Sequence, residues 1–166
     1  MPLLKHEAVV DDPWIAADTL DDLPAEAPAI VPLELWREHG ESLRGRNAPL
    51  GIRLKSDQFP TEIADDLDRF DLVALEFPKF SDGRPFTSAR LLRQRYHFKG
   101  ELRAVGQVKR DQALFMVRCG FDAFEVDEAT ANAWGDALNR ISVAYQPASD
   151  ARAPVTSLRH HRLAAE

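Results

Sequence analysis

Positive side chains gather around one turn of a chain that is acidic overall. The segment Phe77–Arg95 places Lys79 and Arg84 in a loop, together with Asp82 and Gly83, directly after an apolar run. A guanidinium held on a short turn is suited to two-pronged contact with a carboxylate, a phosphate or a sulfur oxyanion. These four residues are therefore the first candidates for an anion-binding or docking site.

The local sequence also predicts the shape of this loop. Asp82-Gly83 favours a tight turn in which Gly83 takes a positive φ, and Pro85 biases Arg84 towards an extended backbone. In the competing interpretation, Arg84 pairs with Asp82 or Glu76 and only fixes the loop, since structural ion pairs are common. The residues leave both interpretations open.

Charge is distributed unevenly along the chain. The first 28 residues hold seven acidic side chains and one basic side chain, which accounts for the whole formal net charge of −6. The rest is balanced overall, but ten of its basic residues lie between Lys79 and Arg118. We predict no binding to nucleic acid, because the acidic segment repels phosphate and no recognition module is present.

Apolar runs that begin near residues 29, 50, 72, 101 and 123 alternate with helical patterns. The helical patterns cover residues 32–43, 61–70, 87–96, 111–120 and 127–141, and residues 141–145 suggest one more strand. Such alternation predicts an α/β fold of repeated βα units with a mainly parallel sheet. An open three-layer sheet and a partial barrel both fit. We predict an acidic arm at 1–28, one domain at 29–145 and a mobile tail at 146–166.

In a parallel sheet, ligands bind beyond the carboxyl ends of the strands. The loops expected at that end are residues 54–60, 77–86, 105–112 and 126–130, and three of them carry basic residues. We name this end the rim. Its predicted anion-binding or docking residues are Lys79, Asp82, Gly83, Arg84, Arg90, Arg103, Lys109 and Asp111.

Two arginines lie inside predicted strands and need a partner. Arg103 is flanked by residues that look buried, so it must reach the rim or find a carboxylate. Arg53 poses the same problem, with Glu76 and Glu125 as candidate partners. For Arg90 and its neighbours in the helix, a solvated face is the alternative to a binding role.

The chain offers little for redox or metal chemistry. Its single cysteine, Cys119, cannot form an intramolecular disulfide or hold a four-thiolate cluster alone, and we expect a buried, inert thiol. No glycine-rich phosphate loop, nucleophile elbow or zinc signature is present. The pair His160-His161 is not a convincing metal site. We predict no cofactor and no metal, and the residues do not decide whether the chain is an enzyme.

Three segments together resemble one known family. They are FPKFSDGRPFTSARLLRQR, GELRAVGQVKRDQ and RCGFDAFEV. The family is the bacterial domain-of-unknown-function family nine-three-four, whose members are described as oxidoreductases of sulfite reduction. The resemblance covers roughly residues 29–145, and the family often has a glycine near His97. It implies a role in the assimilatory reduction of sulfite to sulfide but supplies no established catalytic residue.

The residues of this chain do not match those expected of a classical oxidoreductase. Known sulfite reductases use siroheme with an iron–sulfur cluster, which one cysteine cannot hold. The first hypothesis is therefore an accessory protein whose basic rim docks sulfite reductase or its electron donor. The second is a small enzyme or oxyanion-binding protein, with Lys79, Arg84 and Arg103 around sulfite, sulfate or phosphate and Asp82 or Asp111 as the acid–base group. The third is a structural subunit that forms a homodimer.

Two further expectations concern the arm and the compartment. The acidic arm is suited to fold over the basic rim and compete with outside anions. No apolar run approaches the roughly 20 residues needed to cross a bilayer. The start of the chain lacks the pattern of a signal peptide. The default expectation is a cytoplasmic protein with no membrane partner.

Overall fold

The sheet is the frame of the fold. The structure is a computed structural model, which describes residues 2–5, 8–139, 141, 143–150 and 152–157. The strands of this part of the chain are β1 (Leu3–Lys5), β2 (Ala8–Val10), β3 (Ile15–Ala16), β4 (Ala29–Pro32), β5 (Leu50–Leu54), β6 (Leu72–Phe77), β7 (Glu101–Gly106) and β8 (Ala123–Glu125). They form one sheet in the order β2-β1-β8-β7-β6-β5-β4-β3.

The predicted α/β class is confirmed, and so are the five predicted strand starts. Strands β4 to β8 lie side by side in sequence order and are all parallel. Because each connection is a right-handed crossover, this unbroken order places all the connecting helices on one face. The sheet is therefore a curled half-barrel. Of the two arrangements that the sequence allowed, an open three-layer sheet and a partial barrel, the structure shows the second.

Four α-helices are described on that outer face. They are α1 (Leu33–Arg44), α2 (Arg84–Gln94), α3 (Ala113–Cys119) and α4 (Trp134–Asn139). Helix α2 begins three residues earlier than predicted, with Pro85 in its first turn, where the missing N–H is harmless. Helix α3 ends at Gly120, whose φ of 109° supplies the left-handed cap expected there.

The predicted helix over residues 61–70 is wrong in detail. Two 3₁₀ segments, Pro60–Glu62 and Ala64–Arg69, replace it. Ile63, between them, has φ −123° and ψ 7°, outside the helical region. Ile63 and Phe70 are nevertheless buried in the core, so the segment covers the sheet as a helix would.

The main core lies between the outer face of the sheet and the helices. Alternate residues of each strand point to it, for example Ile52, Val73 and Ala104, all fully buried. Trp36 of α1 packs edge-on against Phe70 at 4.8 Å between ring centroids. This packing fixes the direction of the strands and thereby the position of the loops at the rim.

The first 28 residues are part of the sheet rather than a detached arm. Strand β1 pairs antiparallel with β8, whereas β3 pairs with β4 at the opposite edge. Only residues 11–14, which we name the strap, connect β2 to β3. Five residue steps reach at most about 17 Å, whereas a flat sheet would separate its outermost strands by about 34 Å. The strap therefore crosses the open side of a strongly curled sheet.

The C-terminal segment folds back on helix α3 over the part that is described. Arg118 contacts the Asp150 carboxylate at 2.7 Å and the carbonyl of Gln146. No strand forms at residues 141 and 143–145, where the sequence predicted one, apart from a single bridge between Ala144 and Pro154. The segment predicted to be mobile thus makes specific contacts, which extend past Asp150 to hydrogen bonds from Arg152 to the carbonyl of Ile141 and from the Val155 N–H to the carbonyl of Ala144. The pair His160-His161 lies outside the described residues.

Candidate functional site

Arg84 of the rim is already held by its own loop. Its guanidinium contacts both carboxylate oxygens of Asp82, at 3.0 and 2.6 Å, and the hydroxyl of Ser56 at 2.8 Å. The Asp82 carboxylate also accepts the backbone N–H of Arg84, at 3.1 Å. Of the two interpretations of this residue, the internal ion pair is the one that the structure shows.

The predicted loop conformation needs correction. Gly83 has φ −82°, not a positive value, and Arg84 is the first residue of α2 instead of an extended residue. The Asp82 side chain explains both, because its contact with the Arg84 N–H closes the turn that leads into the helix. A rim glycine that does have a positive φ is Gly106, at the end of β7, with a value of 88°.

The pairing fixes the charge states of this loop. Asp82 has a pKa well below its usual range, chiefly because it accepts hydrogen bonds from the Arg84 side chain. A carboxyl with such a pKa stays ionised at neutral pH and is a weak general base there. The guanidinium, in turn, has few donors left for an outside anion.

Three other cations of the rim have no such partner. Among the described residues, no ion pair involves Lys79, Lys109 or Arg110, and all three are exposed. They lie in the loops after β6 and β7, which are linked where the Gln112 amide donates to the carbonyl of Phe80, at 3.0 Å. The parallel sheet thus brings Lys79 and Lys109 to one end of the molecule, as predicted.

The remaining predicted rim residues are placed differently. Asp111 is exposed in the short 3₁₀ turn before α3, beside Arg110. Arg90 lies in the second turn of α2, where it lines a shallow cavity with Arg95, away from Lys109. Lys55, from the neighbouring loop, pairs with Glu34 at 2.7 Å.

Exposed aromatic rings also occur in the rim loops and at the start of α3. Phe59 and Phe80 lie in the loops after β5 and β6, and Phe115 lies in the first turn of α3. Each is more than half exposed, which is unusual for a large apolar side chain. Phe115 is fixed by contact with the Phe86 ring, at 4.9 Å between centroids. Sequence reasoning missed these rings because it followed only the charges.

Four cavities in the described part of the chain have volumes of about 440, 550, 290 and 260 Å³. Their walls are formed by α1, by the middle of α2, and by α3 with the C-terminal segment. None of these four is lined by Lys79, Arg84, Lys109 or Arg110.

Arg103 does not lie at the rim, where it was predicted. Because side chains alternate along a strand, the third residue of β7 points to the inner face of the half-barrel, where Arg103 is fully buried. Its guanidinium contacts Asp12 at 2.6 and 3.1 Å and Glu101 at 2.9 Å, with Glu125 at 4.0 Å. The requirement for a carboxylate partner, stated from the sequence, is confirmed.

The inner face therefore carries a second charged cluster, which we name the interior cluster. Lys5 of β1 contacts Glu101 at 2.7 Å, and Arg53 of β5 contacts Asp18 at 2.6 Å. The predicted partners of Arg53, Glu76 and Glu125, were wrong, because the structure pairs Arg53 with Asp18. Burial raises the pKa of Glu125, and the positive charge of Arg103 opposes that shift.

Trp14 closes the inner face over this cluster. The half-buried indole packs against a small apolar group, Ile30, Leu72, Ala74 and Val105. Asp12 and Trp14 both belong to the strap. One sequence feature indicates this packing, a lone tryptophan in an otherwise polar segment, whereas nothing in the sequence indicates the partner of Asp12.

Cys119 and the possible metal ligands are the remaining groups that could take part in redox or metal chemistry. Cys119 is buried, as expected, and burial raises the pKa of its thiol against the opposing charges of Arg90 and Arg118. Among the residues that the structure describes, no group of three or more potential metal ligands occurs. No helix in that part is both long and apolar enough to cross a membrane.

The fold and the site together define a class: a parallel α/β half-barrel with an aromatic and basic rim and a charged interior. A comparison with protein families matches residues 51–156 to a family described as bacterial protein of unknown function (DUF934). The match covers more than half of the chain, and the chain belongs to this family. No curated protein sequence matches it.

Proposed function

We propose that this chain is an accessory protein of assimilatory sulfite reduction that docks an acidic redox partner on its rim. The observation that carries the docking surface is the set of exposed cations Lys79, Lys109 and Arg110, which have no ion-pair partner among the described residues. They stand next to the exposed rings of Phe80 and Phe115. Interfaces are enriched in such aromatic anchors, and opposite charges steer the partner.

A protein partner explains the rim better than a small anion does. Arg84 has the guanidinium best placed for an oxyanion, but this group already forms hydrogen bonds with Asp82 and Ser56. The free cations are exposed and line none of the four cavities. A small anion there would stay hydrated and bind weakly, whereas a protein excludes water over the whole patch.

The pathway rests on the family resemblance given by the three sequence segments. A family role in sulfite reduction and a chain with one cysteine are reconciled if the redox centre belongs to the partner. The partners that fit are sulfite reductase or its electron donor. Both would have to present acidic side chains around an apolar patch.

A charge-reversal experiment tests the docking surface. A tagged chain carrying Lys79→Glu, Lys109→Glu and Arg110→Glu is compared with wild type in pull-downs from cell extract. The matched control is Arg69→Glu, Arg95→Glu and Lys99→Glu, which alters three exposed cations at the opposite end of the sheet by the same total charge. Both triple variants are checked for cooperative unfolding first.

We expect wild type and the control to recover a sulfur-assimilation redox protein at low ionic strength, with recovery falling as salt is added. The rim variant is expected to lose it, because exposed charge attraction is screened or reversed. Recovery by the rim variant equal to that of wild type would exclude this docking surface. Failure of wild type to recover any such protein would exclude the pathway.

A further inference from the structure

We propose that the interior cluster is a second binding site, for a small monoanion with a carboxylate or protonated oxyanion group, and that Asp12 holds the place of this anion. The site lies on the inner face of the half-barrel and is separate from the docking surface on the rim. It uses Arg103, the arginine that the sequence placed at the rim.

The geometry of Arg103 is that of an anion receptor. Two of its nitrogens face two oxygens of one carboxylate, Nη1 to Oδ2 of Asp12 at 2.6 Å and Nη2 to Oδ1 at 3.1 Å. Such two-pronged pairing is how arginine binds carboxylates and oxyanions. Oε1 of Glu101 lies 2.9 Å from the third nitrogen, Nε, and also 2.9 Å from Nη2. Glu101 belongs to the same strand, so it fixes the guanidinium in place, with Nη1 and Nη2 directed at the anion.

Asp12 differs from Glu101 in how it is attached. It belongs to the four-residue strap, in which Asp11 and Pro13 are exposed. In the described part of the chain, the strap is held by the packing of Trp14 on the apolar group of the inner face and by the hydrogen bonds of Asp12 with Arg103 and with the N–H of Trp14. The Asp12 carboxylate can therefore be exchanged for one from outside while Trp14 stays in place.

Charge balance selects a monoanion. The interior cluster holds three cations, Lys5, Arg53 and Arg103, and four carboxylates, Asp12, Asp18, Glu101 and Glu125. Exchange of Asp12 for a monoanion leaves this sum unchanged, whereas a dianion adds negative charge beside buried Glu125. An additional donor is at hand, because the buried Nε of Arg53 has no hydrogen-bond partner among the described residues.

Titration calorimetry tests the site on the full-length chain. The probes are formate for carboxylates, and bisulfite and phosphate for oxyanions. The variants are Asp12→Ala, which frees Arg103, and Asp21→Ala, which removes an exposed carboxylate of the same arm outside the interior cluster. We expect weak, saturable binding by wild type and at least about tenfold tighter binding by Asp12→Ala, because no carboxylate must then be displaced. The Asp21→Ala affinity should equal that of wild type.

Proteolysis of wild type supplies a readout that needs no variant. An endoproteinase that cuts before aspartate should cleave at Asp11 and Asp12 faster when the anion is bound, because the strap is released. Cleavage at Asp21 and Asp22 should not change. A bound anion that leaves strap cleavage unchanged, equal affinity gains in both variants, or no binding by wild type would each overturn the proposal. The triple rim variant should titrate like wild type, so this test is independent of the docking surface.

Discussion

Replacing Arg103 by methionine is expected to destabilise the protein strongly. The substitution keeps a long side chain but removes the cation that contacts Asp12 and Glu101 and lies 4.0 Å from Glu125. Removing one partner of a buried ion pair costs about 3–5 kcal/mol, since the other charge is left buried and unpaired. Glu101 keeps Lys5 at 2.7 Å, and Asp12 can turn to water. The expected loss is therefore about 3 kcal/mol, the lower end of that range.

The cost should depend on pH in a defined direction. Burial already raises the pKa of Glu125 in the folded protein, and removal of the opposing Arg103 charge raises it further. A carboxyl with a raised folded-state pKa favours folding below its unfolded pKa, and this contribution is lost as the pH rises through the folded value. The free-energy cost of Arg103→Met should thus shrink when the pH falls from about 8 to about 5.

Urea unfolding at both pH values measures this cost. The matched control is Arg53→Met, the same change on the same face, whose pair with Asp18 is partly exposed, with 32% and 67% of the two side chains accessible, and is worth at most about 1 kcal/mol. Adding Glu125→Gln to Arg103→Met should recover part of the stability at the higher pH. The reasoning fails if Arg103→Met costs no more than Arg53→Met, or if its cost is the same at both pH values.

Three further predictions concern the backbone and the rim. Gly106→Ala should lose about 2 kcal/mol in urea unfolding, because its Cβ would lie 2.6 Å from a β6 carbonyl oxygen at a positive φ, whereas Gly83→Ala, with nothing within 4 Å, should be nearly neutral. Because His97 has a φ of 54°, the His97→Gly variant should be more stable than the His97→Ala variant by about 1 kcal/mol, the reverse of the usual order. Equal stabilities of the two variants would contradict this. Asp82→Ala should release Arg84 and add a second phosphate-binding event, at the rim, to the weak binding expected of wild type at the interior cluster. A titration equal to that of wild type would show that Arg84 does not reach the solvent anion.

The parallel sheet was predictable because its strands carry the strongest signal in the sequence. The runs that begin at Ala29, Leu50, Leu72, Glu101 and Ala123 are apolar at the alternate positions that face the main core, and β6 is apolar on both faces except at Glu76. The strands of the first 28 residues were not predictable. With two or three residues each, they are too short to show a period.

The candidate sites were predictable only in part. Topology alone placed Lys79 and Lys109 at one end, because the loops after parallel strands must meet there. The burial cost of a strand arginine predicted a carboxylate for Arg103. Its identity could not be inferred, because Asp12 lies 91 positions away along the chain and is brought in by sheet curvature. The conformation of Gly83 was missed because the Asp82–Arg84 contact decides it.

Growth of a strain that lacks the gene measures the proposed role most directly. The strain is complemented with wild type, with the triple rim variant or with the control variant, and is grown with sulfate or with sulfide as sulfur source. We predict that the rim variant fails on sulfate and grows on sulfide, whereas wild type and the control grow on both. Growth of the rim variant on sulfate at the wild-type rate would contradict a docking role for Lys79, Lys109 and Arg110 in sulfite reduction.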